Sequence, residues 1–101
     1  MTVSEKVLDL IFLIRLCIEE GLYLDTRHAS ERKLERQINR PEILYVLKKG
    51  YHEKKNDKFD GFYGAWNYAV RGKTVDRREL RIIVSFAENG MLIITAIELK
   101  K

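Results

Sequence analysis

The stretch RHASERKLERQI, residues 27–38, holds the side chains of this sequence best suited to chemistry. His28, Arg32 and Arg36 follow one another at intervals of four. On an α-helix each such step turns about 40° beyond a full circle, so the three form one slanting row. Ser30, Leu34 and Ile38 form a second row about 200° away, and a helix that buries Leu34 and Ile38 presents the first row together. An imidazole with an ordinary pKa of about 6.5 gives or takes a proton at neutral pH. Guanidinium groups grip phosphate oxygens in bidentate fashion and stabilise charge that grows in a transition state. Cleavage of RNA by its own 2′-hydroxyl needs a base, an acid and stabilisation of a charged phosphorane, and it needs no metal. The same residues have a plainer reading, in which Glu31 and Glu35 beside Arg27, Arg32 and Arg36 make an exposed helix laced with ion pairs.

A second group of candidates lies further on. Arg71, Lys73, Arg77, Arg78 and Arg81 can track a phosphate backbone, or they are a solvated loop. Tyr63, Trp66 and Tyr68 can stack bases, although alternate aromatics on a strand more often fill a core. Thr95, in the last apolar run, can place a hydroxyl near a site on the sheet. The net charge of +4 is modest but clustered: acidic residues outnumber basic ones up to Thr26, and the balance reverses from Arg27 to Lys58. The two histidines, His28 and His52, the one cysteine and the scattered carboxylates show no zinc spacing, so neither metal nor cofactor is expected. Glycine-rich phosphate loops, G-x-S-x-G elbows and Cys/His pairs are missing as well.

These groups need a scaffold, and its pattern is legible. The 101 residues fit one domain, expected to fall into residues 1–24 as an extra helix, 25–50 as two helices and 51–101 as a sheet. Thr2 and Glu5 have capping-box spacing before an apolar run, and Gly21 stands where a helix would stop. Between them Val3, Val7, Leu10, Ile11, Ile14 and Ile18 share one side. Phe12, Leu13 and Leu16 project among the charges, covered by later parts of the chain or offered to a homodimer mate or a partner protein. Leu22 to Leu24 reads as an apolar connection. A second helix is expected from Asp25 or Thr26 to about Gln37. A third, capped by Asn39 and Glu42 with Pro41 in its first turn, is expected to end at Gly50 and to carry Ile43, Leu44, Val46 and Leu47.

Beyond Gly50 the period changes to two. Trp66, Tyr68 and Val70 alternate with Ala65, Asn67 and Ala69; Leu80, Ile82, Val84 and Phe86 alternate likewise, as do Met91 to Leu99. Asn89-Gly90 predicts a type I′ hairpin, with positive φ at both positions. Gly72 to Arg78 is expected as a basic hairpin loop, Tyr51 to Lys55 as an edge strand with protective lysines, and Asn56 to Gly64 as a turn region. The expected class is α+β, with about three N-terminal helices packed on a C-terminal antiparallel sheet of three to four strands. The run Val7 to Ile18, interrupted by Asp9 and Arg15, falls short of the roughly 20 apolar residues of a membrane span. A lone Cys17 on an apolar helix fits inert packing in a reducing, cytoplasmic setting.

The pattern His28-Ala29-x-x-Arg32-x-x-x-Arg36-x-Ile38 resembles the signature helix of the bacterial domain of unknown function 4258 (DUF4258). Val46-Leu47-Lys48-Lys49-Gly50, the aromatic strand and the paired strands ending in LIITAI continue the resemblance from about Thr26 to Ile97. That family has been grouped by sequence with the RelE and barnase–EndoU–colicin ribonuclease fold, which includes toxins of toxin–antitoxin systems. The resemblance implies a metal-independent endoribonuclease or a degenerate relative acting on RNA, with His28, Arg32 and Arg36 at the motif positions. Lys33 stands where the family usually has an apolar residue, and Gln37 where glycine is common. The alternatives are a non-catalytic RNA- or protein-binding module and a homodimeric adaptor.

Overall fold

A computed structural model describes residues 5–26 and 38–99. The first helix, α1, spans Leu10–Glu19. It starts later than the Thr2 and Glu5 pattern predicts, because the Asp9 carboxylate accepts the Phe12 N–H at 3.2 Å and so caps it. It stops as expected. Gly21 takes a left-handed φ of 71°, the Leu22 N–H donates to the Cys17 carbonyl and the Gly21 N–H to that of Ile18. Leu10, Ile14 and Cys17 are buried, while Val7, Ile11, Leu13 and Ile18 pack against the same core. Burial pushes the Cys17 thiol up.

Tyr23–Asp25, expected as a connection, forms strand β1. It pairs in parallel with the last strand, Tyr23 opposite Met91 and Asp25 opposite Ile93. Asp25 is therefore a buried strand residue, 3.7 Å from the Arg40 guanidinium. The expected second helix and its row of His28, Arg32 and Arg36 lie outside the described residues. Helix α2, Arg40–Lys49, follows its sequence closely: Asn39 and Glu42 cap each other reciprocally, with distances of 2.9 and 3.0 Å. Its inward residues Ile43, Val46 and Leu47 are fully buried. Arg15 of α1 donates twice, at 2.7 and 3.0 Å, to the Lys48 carbonyl, tying the two helices together at the negative end of α2.

The sheet has six strands among the described residues, more than the three or four expected. After β1 come β2 (Tyr51–His52), β3 (Lys58–Asp60), β4 (Ala65–Lys73), β5 (Glu79–Ala87) and β6 (Gly90–Glu98). Their order is β1-β6-β5-β4-β2, with β3 also on β4. The three long strands β4, β5 and β6 form the expected antiparallel meander. β2 and β3 share the outer edge of β4, separated by a 3₁₀ turn over Lys54–Asn56. The class is α+β, with a mostly antiparallel sheet.

The turn before Gly90 differs from expectation. Ala87 pairs with Gly90, so the two loop residues are Glu88 and Asn89, and Asn89 does not have a positive φ. Gly90 has a φ of 137°, and a Cβ there would lie 2.3 Å from the Leu22 carbonyl oxygen. The glycine serves the close approach of the chain leading into β1 rather than a type I′ turn. β6 also carries a register shift between the partners of Ile83 and Val84, which Ile94 occupies as the extra residue.

Alternation along the strands divides the sheet into two faces. Val70, Ile82, Val84 and Ile93 point towards α1 and α2 and are fully buried. Asn67, Arg71, Arg81, Ile83, Leu92 and Ile94 belong to the opposite face. Neither α1 nor α2 packs on it; their buried residues all join the core on the first face.

Candidate functional site

The open face is where the structure gathers polar and apolar groups accessible to a ligand. Its most ordered feature is built on β2, β4 and β5. The register sets Tyr51 opposite Arg71 and Arg71 opposite Arg81, so the next residue out on the edge, Glu53, meets both guanidiniums. The Glu53 carboxylate is buried, and it accepts from Arg81 at 2.6 and 3.1 Å and from Arg71 at 3.0 Å. Arg71 also donates to Glu79 at 2.6 Å. Hydrogen bonding from Arg81 outweighs desolvation and, with help from Arg71 and Asn56, holds the Glu53 carboxyl well below its usual range, at about 2. The Arg71 and Arg81 guanidiniums are raised, chiefly by Glu79 and by Glu53 respectively.

The expected RNA-binding residues therefore divide. Arg71 and Arg81 hold an internal carboxylate as well as facing outwards. Arg78 lies in a network with Glu42, Glu98 (3.3 Å) and Asp76 (3.5 Å), Glu42 being the strongest influence that raises its pKa. Lys73 and Arg77 are exposed beside the β4–β5 loop, and no carboxylate among the described residues pairs with either. Arg77 has a φ of 71°. The loop, expected from Gly72, begins at Thr74, whose hydroxyl donates to Asp76 and accepts the Arg78 N–H at 3.0 Å.

Tyr68 is not available for stacking. It is 2% exposed and lies on the helix-covered face, where its hydroxyl accepts the Val7 N–H at 2.9 Å. Burial raises its pKa. Alternation places Tyr68 with Val70 in the core, and neither face of its ring is open to a base. Trp66 is partly buried beside it, with the Lys6 ammonium 4.5 Å from the ring centroid. Tyr63, in contrast, is 73% exposed at the end of the sheet. Thr95 is partly exposed, directly opposite Ile83 on the open face.

Two depressions meet on this face. The larger, of about 590 Å³, is lined by Asp60, Tyr63, Asn67, Ser85, Leu92 and Ile94 among others. The smaller, of about 270 Å³, is lined by Asn56, Lys58, Asn67, Arg81, Ile83 and Ile97. Asn67 borders both, so they form one trough running from an apolar end to a cationic end. Period-two alternation marks Asn67 as facing away from Tyr68. Nothing local in the sequence marks the trough itself, since its walls come from four strands.

A third cluster lies on the covered side. The Asp57 carboxylate, almost wholly buried, accepts the Ala69 N–H at 3.0 Å and lies 2.7 Å from His52 Nε2 and 3.1 Å from Lys6 Nζ. These contacts fasten the segment before α1 to the edge of β4. No group of three or more His, Cys, Asp or Glu side chains among the described residues is placed to hold a metal ion. No helix among them is long and apolar enough to cross a membrane.

Fold and site together define an α+β domain whose sheet has one face under helices and, among the described residues, one open face bearing a trough. The family described as Domain of unknown function (DUF4258) matches residues 26–98, and the chain belongs to that family. The match covers α2 and every strand from β2 to β6 and leaves α1 and β1 outside. No curated protein and no solved structure matches the chain.

Proposed function

We propose that this chain is a toxin-like, metal-independent endoribonuclease, or a degenerate relative, whose RNA lies across the open face of the sheet. The observation that carries the reading is the trough, which offers apolar surface at one end and the cations Lys58 and Arg81 at the other on a face clear of α1 and α2. Unpaired RNA has the matching character, with bases that stack on apolar surface and phosphates that seek cations. Lys73 and Arg77, without a carboxylate partner among the described residues, extend the attraction along the backbone. In this reading His28 is the acid or base, and Arg32 and Arg36 hold the scissile phosphate. The described residues on either side are compatible with the reading. The Thr26 N–H and hydroxyl both donate to the Ile93 carbonyl, at 3.1 and 2.9 Å, and Ile38 is buried in the core. Thr26, two residues before His28 in sequence, thus lies beside β6, the strand whose Leu92 and Ile94 line the trough.

The test is purified chain incubated with RNA in the presence of a chelator. Product formation is expected, and His28→Ala is expected to slow it by about 100-fold or more, as for loss of a general acid or base. Cleavage unchanged in that variant overturns the role of His28. Salt-sensitive binding without product replaces the enzyme with a binding module.

A second reading is favoured by one feature. Phe12 is 64% and Leu16 41% exposed on α1, with Leu13 partly buried beside them. In this reading the stripe meets an antitoxin-like protein or a second copy of the chain.

A further inference from the structure

The open trough is chemically divided along its length, apolar beside Tyr63, Leu92 and Ile94 and cationic beside Lys58 and Arg81. Its larger end is a slot with Tyr63 as one wall and Leu92 and Ile94 in the floor. A flat heterocycle suits it, because an exposed aromatic ring gives a stacking surface and the apolar floor excludes water. Few polar groups reach the slot, and most are already engaged. The Ser85 hydroxyl donates to the Trp66 carbonyl at 2.8 Å. One oxygen of Asp60 accepts the Phe62 and Tyr63 N–H groups at 3.0 and 3.3 Å, which fixes the carboxylate in place. The Asn67 amide, in contrast, has no hydrogen-bond partner among the described residues. Across the β3–β4 pair Asn67 stands directly opposite Lys58, so both side chains emerge side by side on the same face. Lys58 is exposed and has no carboxylate partner among the described residues.

We propose that this trough is a subsite for one unpaired adenine nucleotide of an RNA strand, with the base against Tyr63, its edge on Asn67 and its phosphate at Lys58. The proposal rests on the RNA-directed reading above and deepens it. A side-chain amide is complementary to adenine, donating to N7 while accepting from the N6 amino group. The fixed Asp60 carboxylate can accept from an exocyclic amino group such as adenine N6 and repels a carbonyl oxygen such as uracil O4 in the same position. One sugar separates base from phosphate, so a base beside Asn67 carries its phosphate towards the neighbouring ammonium.

The experiment is fluorescence anisotropy of the full chain with short labelled oligo(A) and oligo(U), repeated with Asn67→Ala, Asn67→Asp and Lys58→Ala. Wild type is expected to prefer oligo(A) by about tenfold, the scale of one good bidentate base contact. Both Asn67 variants are expected to abolish the preference, and Asn67→Asp, whose carboxylate stands beside Lys58, is expected to weaken both oligomers further. Lys58→Ala is expected to weaken both oligomers alike and to flatten the salt dependence. Adenosine monophosphate should displace oligo(A) from wild type better than uridine monophosphate does. Unchanged thermal midpoints in the variants certify the fold. Binding to RNA without base preference, or a preference that survives both Asn67 variants, overturns the adenine subsite and leaves the RNA-directed reading standing. Absence of binding to any of these probes overturns both.

Discussion

The two faces of the sheet are made from the same three strands, yet they are built to different rules. Val70, Ile82, Val84 and Ile93 on the covered face are fully buried against α1 and α2. One residue along each strand, the open face mixes Ile83, Leu92 and Ile94 with Asn67, Arg71 and Arg81. A strand whose two faces meet different surroundings shows that alternation because successive side chains point in opposite directions. Apolar residues retained on the uncovered face, among charges, are the mark of a surface that meets something else. The comparison separates Val70, Ile82, Val84 and Ile93, which hold the fold, from Asn67, Ile83, Leu92 and Ile94, which line the trough, while Arg71 and Arg81 hold Glu53 from the open side.

Substitutions on either face sharpen the contrast. Ile82→Ala, which leaves a cavity between sheet and helices, is expected to cost about 3–4 kcal/mol in denaturant unfolding. Glu53→Gln comes next. The folded carboxyl titrates at about 2, below its ordinary 4.5, so its contribution is complete above about pH 4.5 and is lost as pH falls towards 2. Two arginines share the buried charge, and the substitution is expected to remove about 2–3 kcal/mol at neutral pH. It should also flatten the fall in stability that wild type shows between those two pH values. Wild-type stability with no such fall would place the carboxylate in water rather than between Arg71 and Arg81. Ile83→Ala, on the open face, is expected to cost about 1 kcal/mol or less, because little is packed on it. Equal costs for Ile82→Ala and Ile83→Ala would erase the distinction between the faces.

Much of this architecture can be read directly from residue order. The Asn39–Glu42 capping pair, Pro41 and Gly50 delimit α2, since those signals act within one turn of helix. The meander of β4, β5 and β6 follows from period-two alternation. The short strands β1 and β3 are not legible. Three residues carry too little periodicity, and the parallel partner of β1 lies at the far end of the chain. Asn89-Gly90 points to a hairpin that does form, but the demand on Gly90 comes from Leu22, a contact no local pattern encodes.

The site is less legible than the fold for the same reason. Arginines at 71 and 81 look like free cations in the sequence, yet Glu53 reaches them across 18 and 28 residues and binds both. Tyr68 and Tyr63 look equally able to stack bases. Only the register of β4 sends the first into the core, and only the turn after β3 leaves the second exposed. Asn67 draws notice once Lys58 is seen beside it.

The most direct test of RNA on the open face is a methyl NMR titration of the full chain with a short unpaired RNA. The methyl resonances of Ile83, Leu92 and Ile94 are expected to move, while those of Ile82, Val84 and Ile93 stay within a fraction of those shifts. Shifts confined to Leu8 and Leu16 near α1, or none at saturating RNA, would contradict it.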